Sequence, residues 1–167
     1  DVVLDVQFTR AQSDDVTVSF SHALPLRAVH ELERLPGVMQ AEPQRIVGVR
    51  LRNGLAVREA ALLGLPRRTS LRRIFDERGR LWEPPAEGLL LSSELARRLA
   101  VRPGDAVTVE DVEGVLPPRA ARVAATLDDM VGMSAYVELG ALHRLQRDGG
   151  RVTAVALRVE PERRDAL

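Results

Sequence analysis

The stretch that most constrains the fold spans residues 84–109, PPAEGLLLSSELARRLAVRPGDAVTV. Three consecutive leucines after Gly88 predict a short buried strand, and a serine pair then offers a hydroxyl to cap a helix. Leucine and alanine at helical spacing give that helix one apolar stripe. A Pro-Gly-Asp turn leads into an alternating strand at residues 106–109. Strand, helix, turn and strand form a packing unit, and nothing in it indicates chemistry.

Composition excludes several function classes. The 167 residues carry a formal net charge of zero, so bulk electrostatics does not favour nucleic acid or an anionic membrane. There is no cysteine, which excludes disulfides and thiolate metal sites. All 24 basic residues are arginines, which we interpret as a coding bias toward GC-rich codons. No apolar run approaches the roughly 18 residues that a membrane span needs. The chain begins at Asp1 without methionine, and we expect it to be a fragment of a longer protein.

Hydrophobic periodicity predicts the elements of the first third. Close-spaced apolar residues favour a short helix over residues 2–12, and alternation predicts a strand at residues 16–20. Pro25 opens a helix that a Pro-Gly pair ends, and an extended segment begins at Val38.

An Asn-Gly pair at residues 53–54 predicts a hairpin between strands at 46–51 and 55–63. Apolar residues at 71, 74 and 75 favour a single helical turn. The remaining predicted elements are strands at 80–82, 106–112, 119–127, 135–137 and 152–159, a helix from 139 to near 148, and a helix opened by Pro161.

These elements predict an α+β fold of two lobes. Residues 1–44 and 128–167 supply strands and helices and form a βαβ-type lobe from both ends of the chain. Residues 45–127 are mostly strands and form a smaller β-rich lobe inserted between them. Both termini should then emerge from the same lobe.

Six segments in this order resemble the periplasmic core domain of FtsX/MacB-type ABC transporter permeases. They are VTVSFSH, LPGVMQAEPQR, VRLRNG, LLGLP, GLLLSSELARRLAVRPGDAVTV and DDMVGMSAYVEL, and together they span nearly the whole chain. The resemblance implies an α/β porter-like lobe with a smaller β-rich lobe, on the extracytoplasmic side of the bacterial cytoplasmic membrane. It also implies that both termini lead to transmembrane helices outside this fragment.

The resemblance implies a non-catalytic role. The domain would relay nucleotide-driven transmembrane motion to a partner or substrate outside the membrane, in efflux, in lipoprotein or lipid export, or in control of a cell-wall hydrolase. The implied partners are an ABC ATPase subunit, reached through a parent permease that is a dimer, and a periplasmic adaptor, a lipoprotein or a hydrolase activator.

Two loops are candidates for partner contact. Four arginines form a local basic cluster, as a solvated loop or as a surface for a partner or lipid headgroups: Arg67, Arg68, Arg72 and Arg73. Met130 and Met133 belong to an apolar loop that suits either burial between the lobes or an adaptable binding surface.

The other polar motifs predict no catalytic, metal or cofactor site. The three histidines lack ligand spacing, and the serine pair at 92–93 lacks the G-x-S-x-G elbow of a hydrolase. Acidic pairs at 14–15 and 128–129 are typical of solvated loops. No phosphate-binding glycine motif occurs, so an ATP site would belong to another chain or domain. An alternative function is a soluble small-molecule-binding β-barrel-like module, with its pocket between the lobes.

Overall fold

The computed structural model of the protein describes residues 6–12, 15–114, 116–129, 133–147 and 149–160. Within these ranges the fold is α+β, with many strands and three short helices. In chain order the elements are β1 (Val6–Gln12), β2 (Asp15–Leu24), α1 (Arg27–Glu33), β3 (Val38–Asn53), β4 (Ala56–Leu65), β5 (Ile74–Phe75), β6 (Leu81–Trp82), β7 (Leu89–Ser92), α2 (Ser93–Leu99), β8 (Ala106–Asp111), β9 (Arg119–Leu127), β10 (Ser134–Glu138), α3 (Leu139–Gln146) and β11 (Val152–Val159). No described helix is long and apolar enough to cross a membrane.

Nine of these strands form one sheet that is open at one end and closed at the other. Their order is β1-β2-β11-β3-β4-β10-β7-β9-β8, and β8 also pairs with β3. The last pairing closes a six-stranded barrel of β3, β4, β10, β7, β9 and β8. The strands β1, β2 and β11, with the first half of β3, form an open section.

The long strand β3 belongs to both parts. Its residues 38–44 pair with β11, and its residues 45–53 pair with β4. The sequence predicts two extended segments here, whereas the structure has one strand of 16 residues. At Pro43 the strand has a neighbouring strand on one side only, a position where the missing amide proton is tolerated.

Apolar side chains are buried on both faces of the barrel wall. Inside, residues of all six strands pack with Leu95, Ala96 and Leu99 of α2 and with Leu142 of α3. Outside, alternate residues of β4, β7, β9 and β10 form a second cluster with Ile74. Burial on both faces explains the uninterrupted apolar runs at residues 62–65 and 89–91.

The unit at residues 84–109 is confirmed. The Ser92 hydroxyl accepts a hydrogen bond of 3.3 Å from the Leu95 amide and caps α2. Gly88 has a φ of 81°, and a Cβ there would lie 2.7 Å from the carbonyl oxygen of Arg122. Only glycine fits where β7 begins, because any side chain would strike the backbone of β9.

Two predicted helical segments are wrong. Residues 6–12 form strand β1, which pairs along β2, and the apolar spacing of this segment did not distinguish a helix from a strand. Residues 74–75 form strand β5 against β6, with Ile74 buried and Phe75 exposed. That alternation is the period of a strand. The predicted helix at Pro161 lies outside the described residues.

The strand order can be compared with the two predicted lobes. The strands β1 and β11, the first and last described strands, both lie in the open section. The strand β10 is hydrogen-bonded to β4 and β7, which belong to the inserted segment. The division into lobes at residues 44 and 127 stays a prediction.

Candidate docking surface

The segment of residues 66–85, here called the strap, crosses the outer face of the barrel. Its strands β5 and β6 pair Ile74 with Trp82 and Phe75 with Leu81. Partners in such a pair share a face. Ile74 and Trp82 therefore pack together on the outer apolar cluster, whereas Phe75 and Leu81 face outward with 48% and 52% of their surface exposed.

A buried carboxylate on β3 holds the first turn of the strap. Glu42 is only 8% exposed. Its Oε1 accepts the Ser70 amide at 2.9 Å and the Ser70 hydroxyl at 3.0 Å, and its Oε2 accepts the Leu71 amide at 3.2 Å and the Thr69 hydroxyl. The Gln40 Nε2 donates to both the Glu42 Oε1 and the Ser70 Oγ. Five donated bonds thus fix this turn to the open section.

The hydrogen bonds keep this carboxylate charged. Burial acts to raise the pKa of Glu42, but the bonds from Thr69, Ser70 and Leu71 outweigh it and set the pKa below the usual 4.5. The Glu42 carboxylate therefore accepts its bonds from hydroxyl and amide groups of the turn, and no ion pair joins it to a neighbouring arginine within the described residues.

The four predicted arginines lie on the two sides of this turn. All are exposed: Arg67, Arg68, Arg72 and Arg73. The Arg73 Nε donates to the Ser70 carbonyl oxygen at 3.3 Å. Within the described residues no ion pair joins any of the four to a carboxylate. The structure thus brings the basic cluster together on one rigidly held turn, and its role in partner contact stays a prediction.

A second carboxylate holds the β5–β6 hairpin. The Asp76 Oδ1 accepts the amides of Arg78 and Arg80 at 2.9 Å, and its Oδ2 accepts the Trp82 indole N–H at 3.0 Å. The indole bond lowers the pKa of Asp76. The Arg80 guanidinium lies 4.6 Å from the centre of the Trp82 ring. The strap therefore presents cations and apolar side chains from a fixed backbone.

The methionine loop is only partly described. Met133 is half-buried and packs against the inner core of the barrel. Met130 lies outside the described residues. Contact of either side chain with a partner stays a prediction.

Side chains that could support chemistry are dispersed. His30 lies against Glu33 on α1, whereas the His143 ring nitrogen bonds the Arg151 carbonyl oxygen. Over the described ranges, no three His, Cys, Asp or Glu side chains converge as a metal site would require. The Asp129 carboxylate accepts the Tyr136 hydroxyl at 3.2 Å.

A groove of about 430 Å³ lies between the open section and the barrel. Along this edge of β3, pairing with β11 stops at Gln44 and pairing with β8 starts at Val49. The gap is lined by Ser21, His22, Ala23, Arg45, Ile46, Val47, Gly48, Asp111, Val112, Glu113, Gln146 and Thr153. A pocket between the lobes is expected for the small-molecule alternative. Its lining comes from five elements far apart in sequence, so no local pattern identifies it.

The same architecture occurs in two solved structures. The periplasmic region of MacB from Actinobacillus actinomycetemcomitans matches with a TM-score of 0.56 at 13% identity, over 88% of this chain and 75% of that one. The extracellular domain of the noncanonic ABC-type transporter YknZ from Gram-positive bacteria matches with a TM-score of 0.55 at 14% identity, over 86% of this chain and 78% of that one. No protein-family model and no curated protein matches the chain. The resemblance seen in the sequence is confirmed at the level of the fold: the chain has the fold of a MacB-like periplasmic domain.

Proposed function

We propose that the chain is an extracytoplasmic domain of an ABC transporter permease and works without catalysis. The observation that carries this proposal is the fold shared with the extracytoplasmic regions of MacB and YknZ. The domain would relay nucleotide-driven motion of the parent's membrane helices to a partner or substrate outside the bacterial cytoplasmic membrane. The process that the parent transporter carries out would be efflux, lipoprotein or lipid export, or control of a cell-wall hydrolase.

The construction of the sheet suits a mechanical relay. A strand of 16 residues such as β3 extends about 50 Å at about 3.3 Å per residue. One half of β3 lies in the open section with β1 and β11, and the other half lies in the barrel wall. A displacement applied to the open section would thus reach the barrel through a continuous hydrogen-bonded strand.

The partners follow from the same proposal. An ABC ATPase subunit would act on the domain through the parent permease, which would be a dimer. A periplasmic adaptor, a lipoprotein or a hydrolase activator would bind outside the membrane. Such a relay requires contacts that differ between two states.

A distance measurement in the parent dimer tests the relay. Leu55 is fully exposed at the tip of the β3–β4 hairpin, and the chain contains no cysteine. Spin labels on Leu55→Cys report the separation of the two barrels. We expect the distance distribution to differ between the nucleotide-free and ATP-trapped states. An unchanged distribution would contradict the relay, and the absence of a dipolar signal would contradict the dimer.

The groove beside β3 favours a second candidate function, a small-molecule-binding module. A ligand inside the barrel is not supported, because Val49, Leu51, Leu62, Leu89 and Leu91 fill its interior. A ligand would have to bind in the groove, where Arg45 and Asp111 lie. Calorimetric titration with small anions and amino acids distinguishes the two functions. Saturable binding that Asp111→Asn abolishes would favour the module over the relay.

A further inference from the structure

The strap concentrates positive charge in a chain whose formal net charge is zero. Residues 66–85 contain six arginines and three acidic residues, a formal charge of +3, whereas the whole chain has a net charge of zero. One of the three acids, Asp76, is engaged with backbone amides and Trp82. The strap is therefore locally cationic, and a formal charge of −3 lies on the rest of the chain.

The strap also carries exposed apolar side chains. Phe75 and Leu81 lie side by side on the outer face of the hairpin; in sequence Phe75 is two residues after Arg73, and Leu81 directly follows Arg80. Both are about half exposed although buried partners lie on the opposite face. Cations around a small apolar pair are typical of segments that bind the interface of a bilayer.

The strap begins at the end of the open section where β11 finishes. The Gln40 Nε2 donates to the Ser70 Oγ at 2.8 Å, and Gln40 pairs with Arg158, one residue before the end of β11. The Glu160 amide then bonds the Gly37 carbonyl oxygen. This step rests on the proposed function, in which this end of the open section would lie toward the membrane and the arginine turn would face the bilayer.

We propose that the strap binds anionic phospholipid headgroups. The guanidinium groups beside the Glu42-held turn would pair with lipid phosphates, for which their planar donors are suited. Phe75 and Leu81 would enter the boundary between headgroups and acyl chains. An acidic polypeptide would satisfy the arginines and leave the apolar pair unused, so the geometry points to a bilayer.

Vesicle binding by the 167-residue chain tests this proposal without the parent transporter. The probes are phosphatidylglycerol–phosphatidylcholine vesicles, pure phosphatidylcholine vesicles and polyglutamate. We expect binding to the anionic vesicles that weakens as salt rises, because surface charges are screened over about 10 Å at 0.1 M. Neutral vesicles should bind far less.

Two matched quadruple variants separate the cluster from net charge. The test variant changes the cluster: Arg67→Gln, Arg68→Gln, Arg72→Gln and Arg73→Gln. The control removes four exposed arginines elsewhere: Arg27→Gln, Arg102→Gln, Arg144→Gln and Arg147→Gln. Each arginine near an anionic surface contributes about a fivefold gain in partition. The test variant should therefore lose binding by about 100-fold or more, and the control should lose much less.

A third variant tests the apolar pair. Phe75→Ser with Leu81→Ser should weaken binding about tenfold at every salt concentration, because this contribution is not electrostatic. Thermal unfolding and circular dichroism of each variant verify that the fold is kept.

The vesicle-binding results can be interpreted independently of the test of the relay. Loss of binding in the cluster variant with retention in the control supports the proposal whether or not the domain moves with nucleotide. Equal loss in both quadruple variants, no binding to anionic vesicles, or a stronger preference for polyglutamate would each overturn it. The last result would assign the surface to an acidic protein.

Discussion

At the scale of single residues, Glu42 connects the strap to the sheet. Its two oxygens accept the bonds of a turn about 30 residues away in sequence, and the surrounding protein excludes water from them. A buried acceptor that loses its charge leaves several donors without an adequate partner. Glu42 therefore accepts four of the five bonds that fix the arginine turn, and Gln40 donates the fifth.

We expect Glu42→Gln to lower the free energy of unfolding by about 2–3 kcal/mol, because the amide places a donor against the Ser70 and Leu71 N–H groups. Urea denaturation measures the change. Glu59→Gln is the matched control, since Glu59 lies on the adjacent β4, is 69% exposed and forms a surface ion pair with Arg50 at 3.3 Å. A loss no larger than that of the control would show that Glu42 does not hold the strap.

The lowered pKa of Glu42 predicts a pH dependence with a definite sign. Because the folded carboxyl has a pKa below the unfolded value of 4.5, its contribution is fully present above that pH and is lost as pH falls through the folded pKa. The stability difference between the wild type and Glu42→Gln should thus be constant near neutrality and shrink below pH 4.5. Urea denaturation across this range tests it, and a difference that grows on acidification would refute it.

At the scale of elements, the unit from β7 to β8 depends on Gly88. Gly88 and Gly79 have similar left-handed φ values of 81° and 74°, but only at Gly88 would a Cβ meet backbone, 2.7 Å from the Arg122 oxygen. Gly79 has nothing within 4 Å. Alanine substitutions at these two glycines therefore separate the free-energy cost of a left-handed backbone from the cost of steric overlap.

We expect Gly79→Ala to cost about 1 kcal/mol, since both positions require a left-handed backbone. Gly88→Ala should cost about 1–3 kcal/mol more, because β9 must move away from β7. Thermal and urea unfolding of the two variants measure the difference. Equal losses would mean that the contact between β7 and β9 tolerates a methyl group.

Local signals explain which elements the sequence predicts. Each of these signals is local. The cap, the apolar stripe and the turn of residues 84–109, and the Asn-Gly hairpin, each depend on residues a few positions apart in sequence, and the structure confirms them. The strands β1 and β5 are recognised only through their partners β2 and β6, so their short apolar spacing is ambiguous. Closure of the barrel requires β3 to pair with β8, about 60 residues later, which no local pattern contains.

The candidate surface is predictable to the same extent. The arginine cluster is visible in the sequence because its members are adjacent. The role of Glu42 is not, since AEPQ reads as an ordinary strand segment until β3 lies beside the strap. The outward pairing of Phe75 with Leu81 likewise requires the β5–β6 hairpin, which the expected helical turn excludes.

At the scale of the whole molecule, β3 joins the open section, which contains the first and last described strands of the chain, to a filled barrel. Under the proposed function, this arrangement has a mechanical interpretation. Motion would enter at the open section, and the barrel and strap would present surfaces to partners. The central claim is that the domain lies outside the cytoplasmic membrane.

The most direct test is the labelling of Leu55→Cys by a membrane-impermeant maleimide in intact bacterial cells that express the parent protein. Leu55 is fully exposed, and these 167 residues contain no cysteine, so in a parent whose other cysteines are replaced by serine the label reports the side on which this domain lies. The control is Leu89→Cys, which is buried in the barrel and should react only after denaturation. We predict equal labelling of Leu55→Cys in intact and permeabilised cells; labelling that appears only after permeabilisation would contradict the account.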